Sequence, residues 1–223
     1  TSPDVKTAVS KIQSALQKIE NWCRKWHVSL HPAKSKVIVF THCPRHKMEP
    51  IDIKIFGAPV PVVDQSEFLG ITMDSRLTWE PQTRKILERA YSRLNLLRAI
   101  AGISLKPNPD LMVKLYTSII RPIFEYPAVC LISSAEVHLH KLQVLQNHAL
   151  RAALHVPAYV SIADLHDASG IKPIKEHLIS FSKRRLESMK KTSPIISETL
   201  EKYEAVKYNT QHPSPLDITG PLC

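Results

Sequence analysis

The stretch from Trp22 to Phe40, WCRKWHVSLHPAKSKVIVF, places the tightest limits on how this chain can fold. Its first residues complete an amphipathic helix. Val5, Ala8, Val9, Ile12, Leu16, Ile19, Cys23 and Trp26 recur at the three-and-four spacing that gathers side chains on one helical face. Ser2-Pro3-Asp4 supplies a start for that helix: a capping hydroxyl, a proline in the first turn and an acid at the positive end of the dipole. The spacing predicts that the helix lays one face on a core and ends near Lys25. Pro32 then sets a turn, and Val37, Ile38, Val39 and Phe40 form a continuous apolar run expected to be a strand buried on both faces. Lys34 and Lys36 stand between the turn and that strand, held rigidly while their stems reach the surface. A solvated basic turn fits these residues, and so does a lysine pair aimed at a phosphate.

Charge bears on that choice. Thirty Lys+Arg against twenty Asp+Glu leave a net charge of +10 and a pI near 9.5, a balance that favours a polyanionic partner. The 43% hydrophobic fraction is that of a folded protein with a core. No apolar run approaches the ~20 residues needed to cross a bilayer, so no membrane role is expected. No basic-then-apolar leader opens the chain, and a helix start right after Thr1 reads as a chain cut from something longer. Cys23, Cys43, Cys130 and Cys223 show no CxxC spacing and are read as reduced thiols of an intracellular protein, with nucleus and cytoplasm indistinguishable.

Beyond the lysine turn, strands dominate to Met73. Ile51, Ile53 and Ile55 alternate with polar residues, Gly57-Ala58-Pro59 is read as the turn, and Val60, Val62 and Val63 as a weak return strand at an edge. Phe68-Leu69-Gly70-Ile71 is read as a further short strand. After Trp79 helices take over. Pro81 opens one with Leu87, Ala90, Tyr91, Leu94, Leu97 and Ala101 inward and Lys85, Arg89 and Arg93 along another side at i, i+4. Asn108-Pro109 caps the next, which carries Leu111, Met112, Leu115, Tyr116, Ile119 and Ile120 until Pro122 kinks or ends it. A third runs from about Ser134 to His155, inward by Val137, Leu142, Leu145, Ala149 and Ala153. Ser161 and Gly170 bracket a short helix. Pro173 opens the last, with Ile174, Leu178, Phe181 and Met189 inward and Lys183, Arg184, Arg185, Lys190 and Lys191 outside. The tail from Tyr208 is polar and proline-rich.

Several of these segments carry a family pattern in order. Trp22, Trp26, Val28, Leu30 and His31-Pro32-Ala33-Lys34-Ser35-Lys36 before a valine-rich strand resemble the segment after the catalytic aspartates of non-LTR retrotransposon reverse transcriptases, particularly the jockey-like group. Glu67-Phe68-Leu69-Gly70-Ile71 with Asp74, Leu77, Thr78 and Trp79 resembles their primer-grip hairpin. Leu115 to Tyr126 (LYTSIIRPIFEY) resembles the thumb helix. Lys141 to Asn147 (KLQVLQN) with Leu150-Arg151 resembles the helix that follows, and Leu165-His166 and Gly170-Ile171 fit as well. His31 stands where the family usually has Asn.

The resemblance implies an α+β fold: a small antiparallel sheet with an N-terminal helix, the end of a polymerase palm, followed by an all-helical thumb and connection. The implied divisions are residues 1–79 (palm end with the primer-grip-like hairpin), 80–157 (thumb-like), 158–207 (connection) and 208–223 (loose tail). It implies that Lys34 lies near the leaving pyrophosphate, where a cation stabilises developing charge. Phe68, Leu69, Gly70 and Ile71 would hold the primer end, and Lys36, Lys85, Arg89 and Arg93 would meet the nucleic-acid backbone. The implied partners are an RNA–DNA or DNA duplex and the upstream remainder of the polymerase, with no small-molecule ligand. Polymerase chemistry needs carboxylates that hold two divalent ions, and this chain has no adjacent acidic pair. Mg2+ is therefore expected only in the complete polymerase, no cofactor in this chain, and no polymerisation by it alone. A stand-alone nucleic-acid-binding module and an inert remnant are the alternatives.

Other candidate groups are weaker. Cys23, His27 and His31, with His42, Cys43 and His46, have the ligand types of a zinc site. Only the first two can share a helical face, because the chain becomes extended at Val28, so no metal site is expected. His138, His140, His148 and His155 are expected at the surface. Asp164 and Asp167 read as an exposed helix face, and Lys183 to Arg185 as a solvated face or a second nucleic-acid contact.

Overall fold

The computed structural model describes residues 5–41, 51–102 and 107–205, so the helix start at Ser2-Pro3-Asp4, the Cys/His-rich segment 42–50 and the tail from Tyr208 lie outside the described residues. The described residues are mostly helical with two small antiparallel hairpins, and the chain divides into two compact units, Thr1–Thr78 and Trp79–Cys223.

In the first unit, α1 (Val5–Lys25) packs against a hairpin of β1 (Lys54–Ile55) and β2 (Ala58–Pro59). Ile53, Ile55 and Val60 are buried there, with Val9, Leu16, Leu30, Val37 and Ile51 packed around them. Two side chains of α1 bind the hairpin backbone. Gln13 accepts from Lys54 N–H and donates to Lys54 C=O, both at 3.0 Å, which occupies an edge a third strand would otherwise use. Glu20 accepts from Phe56 N–H at 2.8 Å, and the Arg24 guanidinium lies 5.5 Å from the Phe56 ring centroid. The helical face is narrower than the sequence predicts. Val9, Leu16 and Cys23 turn to the hairpin, whereas Ile12, Ile19, Trp22 and Trp26 remain exposed.

The turn lies one residue earlier than expected. Phe56 (φ 50°) and Gly57 (φ 79°) both take positive φ, the two-residue type I′ geometry that matches strand twist, and Ala58-Pro59 already belong to the strand. A second hairpin, β3 (Gln65–Phe68) and β4 (Ile71–Asp74), turns through Leu69 (φ 49°) and Gly70 (φ 76°) in the same way. Phe68 to Ile71 is thus a hairpin's turn and its flanks, not a separate strand. The small single sheet expected from the sequence is two separate two-stranded ones. The run Val37 to Phe40 does not form the doubly buried strand. Val37 makes one parallel bridge with Val62 (Val37 N to Pro61 O 3.0 Å, Val63 N to Val37 O 2.9 Å), Ile38 and Val39 are half-buried, and Phe40 is exposed. Cover on both faces needs a strand inside a sheet with a layer packed on each side, and here the run is held by a single bridge outside either hairpin.

The second unit is helical: α2 (Glu80–Ala101), α3 (Pro109–Leu115), a π turn (Tyr116–Ile120), α4 (Arg121–Glu125), α5 (Ala128–Ile132), α6 (Glu136–Leu154), α7 (Ile162–Ser169), α8 (Ile174–Thr192) and α9 (Pro194–Ala205). Ile86, Ala90, Leu94 and Leu97 of α2 share one core with Leu139, Leu142, Leu145, Ala149, Leu150 and Ala153 of α6. Met112, Tyr116, Ile120 and Phe124 recur every four residues through α3, the π turn and α4, and all are buried in that core. The expected kink at Pro122 is resolved by the π turn, in which Arg121 N–H donates to Tyr116 C=O five residues back. A proline has no N–H for the regular ladder, and one wider turn just before it lets the helix carry on through. Asn108 caps α3 by accepting from Asp110 N–H (2.8 Å), and Ser161 caps α7 by accepting from Asp164 N–H (3.1 Å). Gly170 ends α7 at φ 64°.

Four expected burials fail: Leu111, Tyr91, Val137 and Met189 are exposed, while Ile86 takes the inward place beside Leu87. His138, expected at the surface, is buried. In each case the rest of the expected stripe is inward, and the residue that fails stands at its edge or end, where residue spacing alone does not fix burial.

Candidate nucleic-acid interface

Two places collect the residues singled out in the sequence, one in each unit. In the first unit the 3-10 turn Pro32–Lys34 is closed by Lys34 N–H to His31 C=O (3.1 Å) and Ser35 N–H to Pro32 C=O (3.0 Å). His31 itself is extended (φ −102°), so the turn needs no left-handed residue at the position where the family usually has Asn. The turn presents Lys34 and Lys36, both exposed, to a cleft of about 440 Å3 that Ile38, Phe40, Ser66, Glu67, Phe68 and Met73 also line. The lysine turn and the second hairpin therefore meet although they share no sheet. Lys34 and Lys36 come together with Phe68. Leu69 and Gly70, at the tip, do not line the cleft.

That tip is unusual physically. Phe68 is 63% exposed and Leu69 74% exposed, and Leu69 is held in the left-handed region that side chains other than glycine seldom adopt. Behind it, the Asp74 carboxylate accepts from both the N–H and the hydroxyl of Thr78 at 3.0 Å, which fixes the chain leaving the hairpin.

In the second unit Arg89 and Arg93, one turn apart on α2, are exposed. They line an open groove of about 960 Å3 together with Glu88 and Ser92 of α2 and Ser118, Ile119 and Ile123 across from them. Lys85 is half-buried and is not part of the groove. The wider π turn sets Ser118 on the groove, with its hydroxyl donating to Lys114 C=O at 2.8 Å. Sequence reading missed Ser92, Ser118 and Glu88. Glu88 and Ser92 flank the two arginines in the sequence, but Ser118 reaches the groove only through tertiary packing.

The later segments that carry the resemblance are structural. Gln143 Oε1 accepts from Ile174 N–H (2.7 Å), while its Nε2 donates to Asn147 Oδ1 (2.7 Å) and lies 3.0 Å from His166 Nε2. His166 Nδ1 is 2.6 Å from Ile171 C=O, so Nδ1 carries the proton and Nε2 accepts from Gln143. Gln146 Nε2 donates to Lys172 C=O (2.9 Å). Together these bonds tie α6, α7 and the start of α8. Glu125 Oε1 likewise accepts from Arg121 Nε (3.0 Å) and from His177 Nε2 (2.8 Å), joining α4 to α8. Burial holds the His177 imidazole below its ordinary range, opposed by the bond to Glu125 and helped by the Arg121 charge. Among the described residues no group of three metal-ligating side chains forms, and no helix is long and apolar enough to cross a membrane.

No family model and no solved structure matches the chain. Curated proteins do. The chain is 27% identical over 197 residues to the probable RNA-directed DNA polymerase from transposon BS of Drosophila melanogaster, covering 86% of this chain and 21% of that protein. It is 25% identical over 162 residues to the RNA-directed DNA polymerase from mobile element jockey of Drosophila funebris, covering 71% of this chain and 17% of that protein. A third similarity, 21% over 220 residues, is to the probable polymerase from transposon X-element of Drosophila melanogaster and covers 96% of this chain and 24% of that protein. The chain spans about a fifth of the length of these relatives, and over most of its own length it is similar to RNA-directed DNA polymerases of jockey-like non-LTR retrotransposons.

Proposed function

We propose that this chain is the part of a non-LTR retrotransposon reverse transcriptase that holds the primer and the template backbone, and that it does no phosphoryl transfer on its own. The observation that carries the reading is the cleft where Lys34 and Lys36 face Phe68, in a chain whose relatives are RNA-directed DNA polymerases. On this reading residues 1–79 are the end of a palm with a primer-grip-like hairpin, 80–157 a thumb and 158–207 a connection. The exposed Phe68-Leu69 tip packs on the primer end, and Lys34 places an ammonium beside the leaving pyrophosphate, where it stabilises charge that develops in the transition state. Arg89 and Arg93 lie along the duplex backbone, each neutralising a phosphate.

The divalent ions of polymerase chemistry do not fit the residues present. No adjacent carboxylate pair exists in the sequence, and the described residues gather no ligand cluster. Mg2+ belongs on this reading to carboxylates outside the chain, and no step here is routed through it.

Primer extension by the complete polymerase tests the proposal. Lys34→Ala should lower the rate of nucleotide addition by about 100- to 1,000-fold with little change in duplex affinity, as for loss of one charge-stabilising group. Unchanged extension removes the role given to Lys34. The chain by itself should bind duplex in a salt-sensitive way, and no binding at low salt would leave an inert remnant.

A further inference from the structure

The face of α1 that the hairpin does not use has a regular pattern. Val5, Ile12, Ile19 and Trp26 stand seven residues apart, and Ala8, Ala15 and Trp22 form a second seven-residue row three positions on. These two rows are the a and d positions of a heptad repeat carried through the whole helix. In a helix covered on one side only, such a seam would be the covered side. Here it is open from Ile12 onward: Ile12 is 46% exposed, Ile19 45%, Trp22 55% and Trp26, just past the last helical residue, 61%, while Val5 and Ala8 at the start are half-buried. The row that follows the seam on one side is the covered one: Val9 and Leu16 pack on the hairpin core and Cys23 is buried. The row on the other side is Lys11, Lys18 and Lys25, all exposed and again seven apart.

We propose that this seam is a docking surface for a helix with an apolar stripe and a row of carboxylates along one edge, supplied by the part of the longer polymerase that lies outside this chain. Three observations select that occupant. The first is charge. The lysines recur about every 10 Å along α1, the rise of seven helical residues, so Asp or Glu at the same spacing on a facing helix meets each of them. The second is shape. Ala8 and Ala15 leave the first half of the seam shallow, and Trp22 and Trp26, with ring centroids 6.3 Å apart, stand proud at its end. A partner can approach closely at one end and must offer space for two indoles at the other. The third is the length outside the chain, since the relatives are about five times longer than the segment matched.

A second copy of this chain fits badly. An antiparallel pair would set Lys18 against Lys18 and Lys11 against Lys25, and a parallel pair would set the lysines against the Leu16 and Cys23 row, which is already packed. Neither forms an ion pair.

The inference rests on the chain being one part of a longer polymerase, and the surface itself is tested by binding, with primer extension kept as a separate readout of that reading. The probes are two 21-residue helical peptides with Leu and Ala seams, one with Glu and one with Lys at seven-residue spacing along the edge that faces α1. Binding is read from tryptophan emission in a Trp79→Phe background, which leaves Trp22 and Trp26 as the reporters. The Glu peptide should shift it to the blue and bind at least tenfold more tightly than the Lys peptide. Ile19→Asp, at an exposed position that leaves both reporters in place, should lose at least tenfold in affinity with unchanged helix content by circular dichroism. The remainder of the polymerase, produced as a separate chain, should co-elute with these 223 residues and part from the Ile19→Asp form. Equal binding of the two peptides, no shift with either, separate elution of the remainder, or a dimer of this chain that Ile19→Asp dissociates would each overturn the proposal. Co-elution without primer extension would instead fault the polymerase reading and leave the docking surface standing.

Discussion

Replacing Gln143 by leucine keeps the side chain's bulk while deleting three polar interactions at once: the bond accepted from Ile174 N–H, the bond given to Asn147 and the approach to His166 Nε2. Ile174 is 1% exposed, so its N–H is left without a partner where water cannot easily replace it. Three neutral hydrogen bonds are worth about 1 kcal/mol each, and an orphaned buried donor adds about 1–3 kcal/mol. Gln143 is half-buried, so the gain of an apolar side chain offsets about 1 kcal/mol. The net expectation is a loss of about 3–5 kcal/mol. Urea unfolding followed by circular dichroism measures it. With a slope of about 2 kcal/mol per molar urea, the midpoint should fall by roughly 1.5–2.5 M at unchanged slope. Gln143→Glu keeps the acceptor for Ile174 and loses the donor, and should fall between leucine and the parent. Duplex affinity of the folded leucine variant should be unaltered. A midpoint shift under about 0.3 M, or weakened affinity at full stability, would show that Gln143 does not act as the tie between α6, α7 and α8.

Tyr116 is wholly buried, its hydroxyl finds no hydrogen-bond partner among the described residues, and burial drives its phenol pKa upward; Tyr116→Phe should be neutral or stabilise by up to about 2 kcal/mol in the same urea assay. His177 is held below the ordinary imidazole value of 6.5, so the unfolded chain takes up its proton first. Stability should be complete above that pH and decline as pH falls through and below it, and His177→Gln should flatten this acid limb in melting curves taken from pH 7.5 to 5. Arg89→Ala/Arg93→Ala should reduce the slope of log affinity against log salt for duplex DNA by roughly 1.8, about 0.9 for each phosphate no longer neutralised, and an unaltered slope removes them from the interface.

Much of the local order was legible because it is local. Asn108, Ser161 and Gly170 mark helix ends through bonds and backbone angles that span three or four residues, and each stands where its residue type says it should. The four-residue recurrence of Met112, Tyr116, Ile120 and Phe124 likewise survives a proline because one wider turn keeps it in phase. The basic pair Lys34 and Lys36 was legible as a presented turn, since Pro32 fixes the bend regardless of what surrounds it. The Phe68-Leu69-Gly70-Ile71 segment was read both as a strand and as part of a hairpin, and only the positive φ of two successive residues decides for the turn.

Burial was legible only where one stripe was clearly the most apolar. In α1 the apolar residues span nearly half the circumference, so the sequence determined that a helix forms from Val5 to Lys25 but not which of two faces would be covered. The tertiary structure chose the Val9, Leu16 and Cys23 side, because Gln13 and Glu20 beside it can satisfy the hairpin's free backbone groups and the Ile12, Ile19 side has no such partners to offer. The same limit applies to the cleft and the groove. Which lysines and arginines exist is written in the sequence, but that Lys34 faces Phe68 and that Ser118 joins Arg89 and Arg93 depends on packing between segments tens of residues apart, which no short-range spacing encodes.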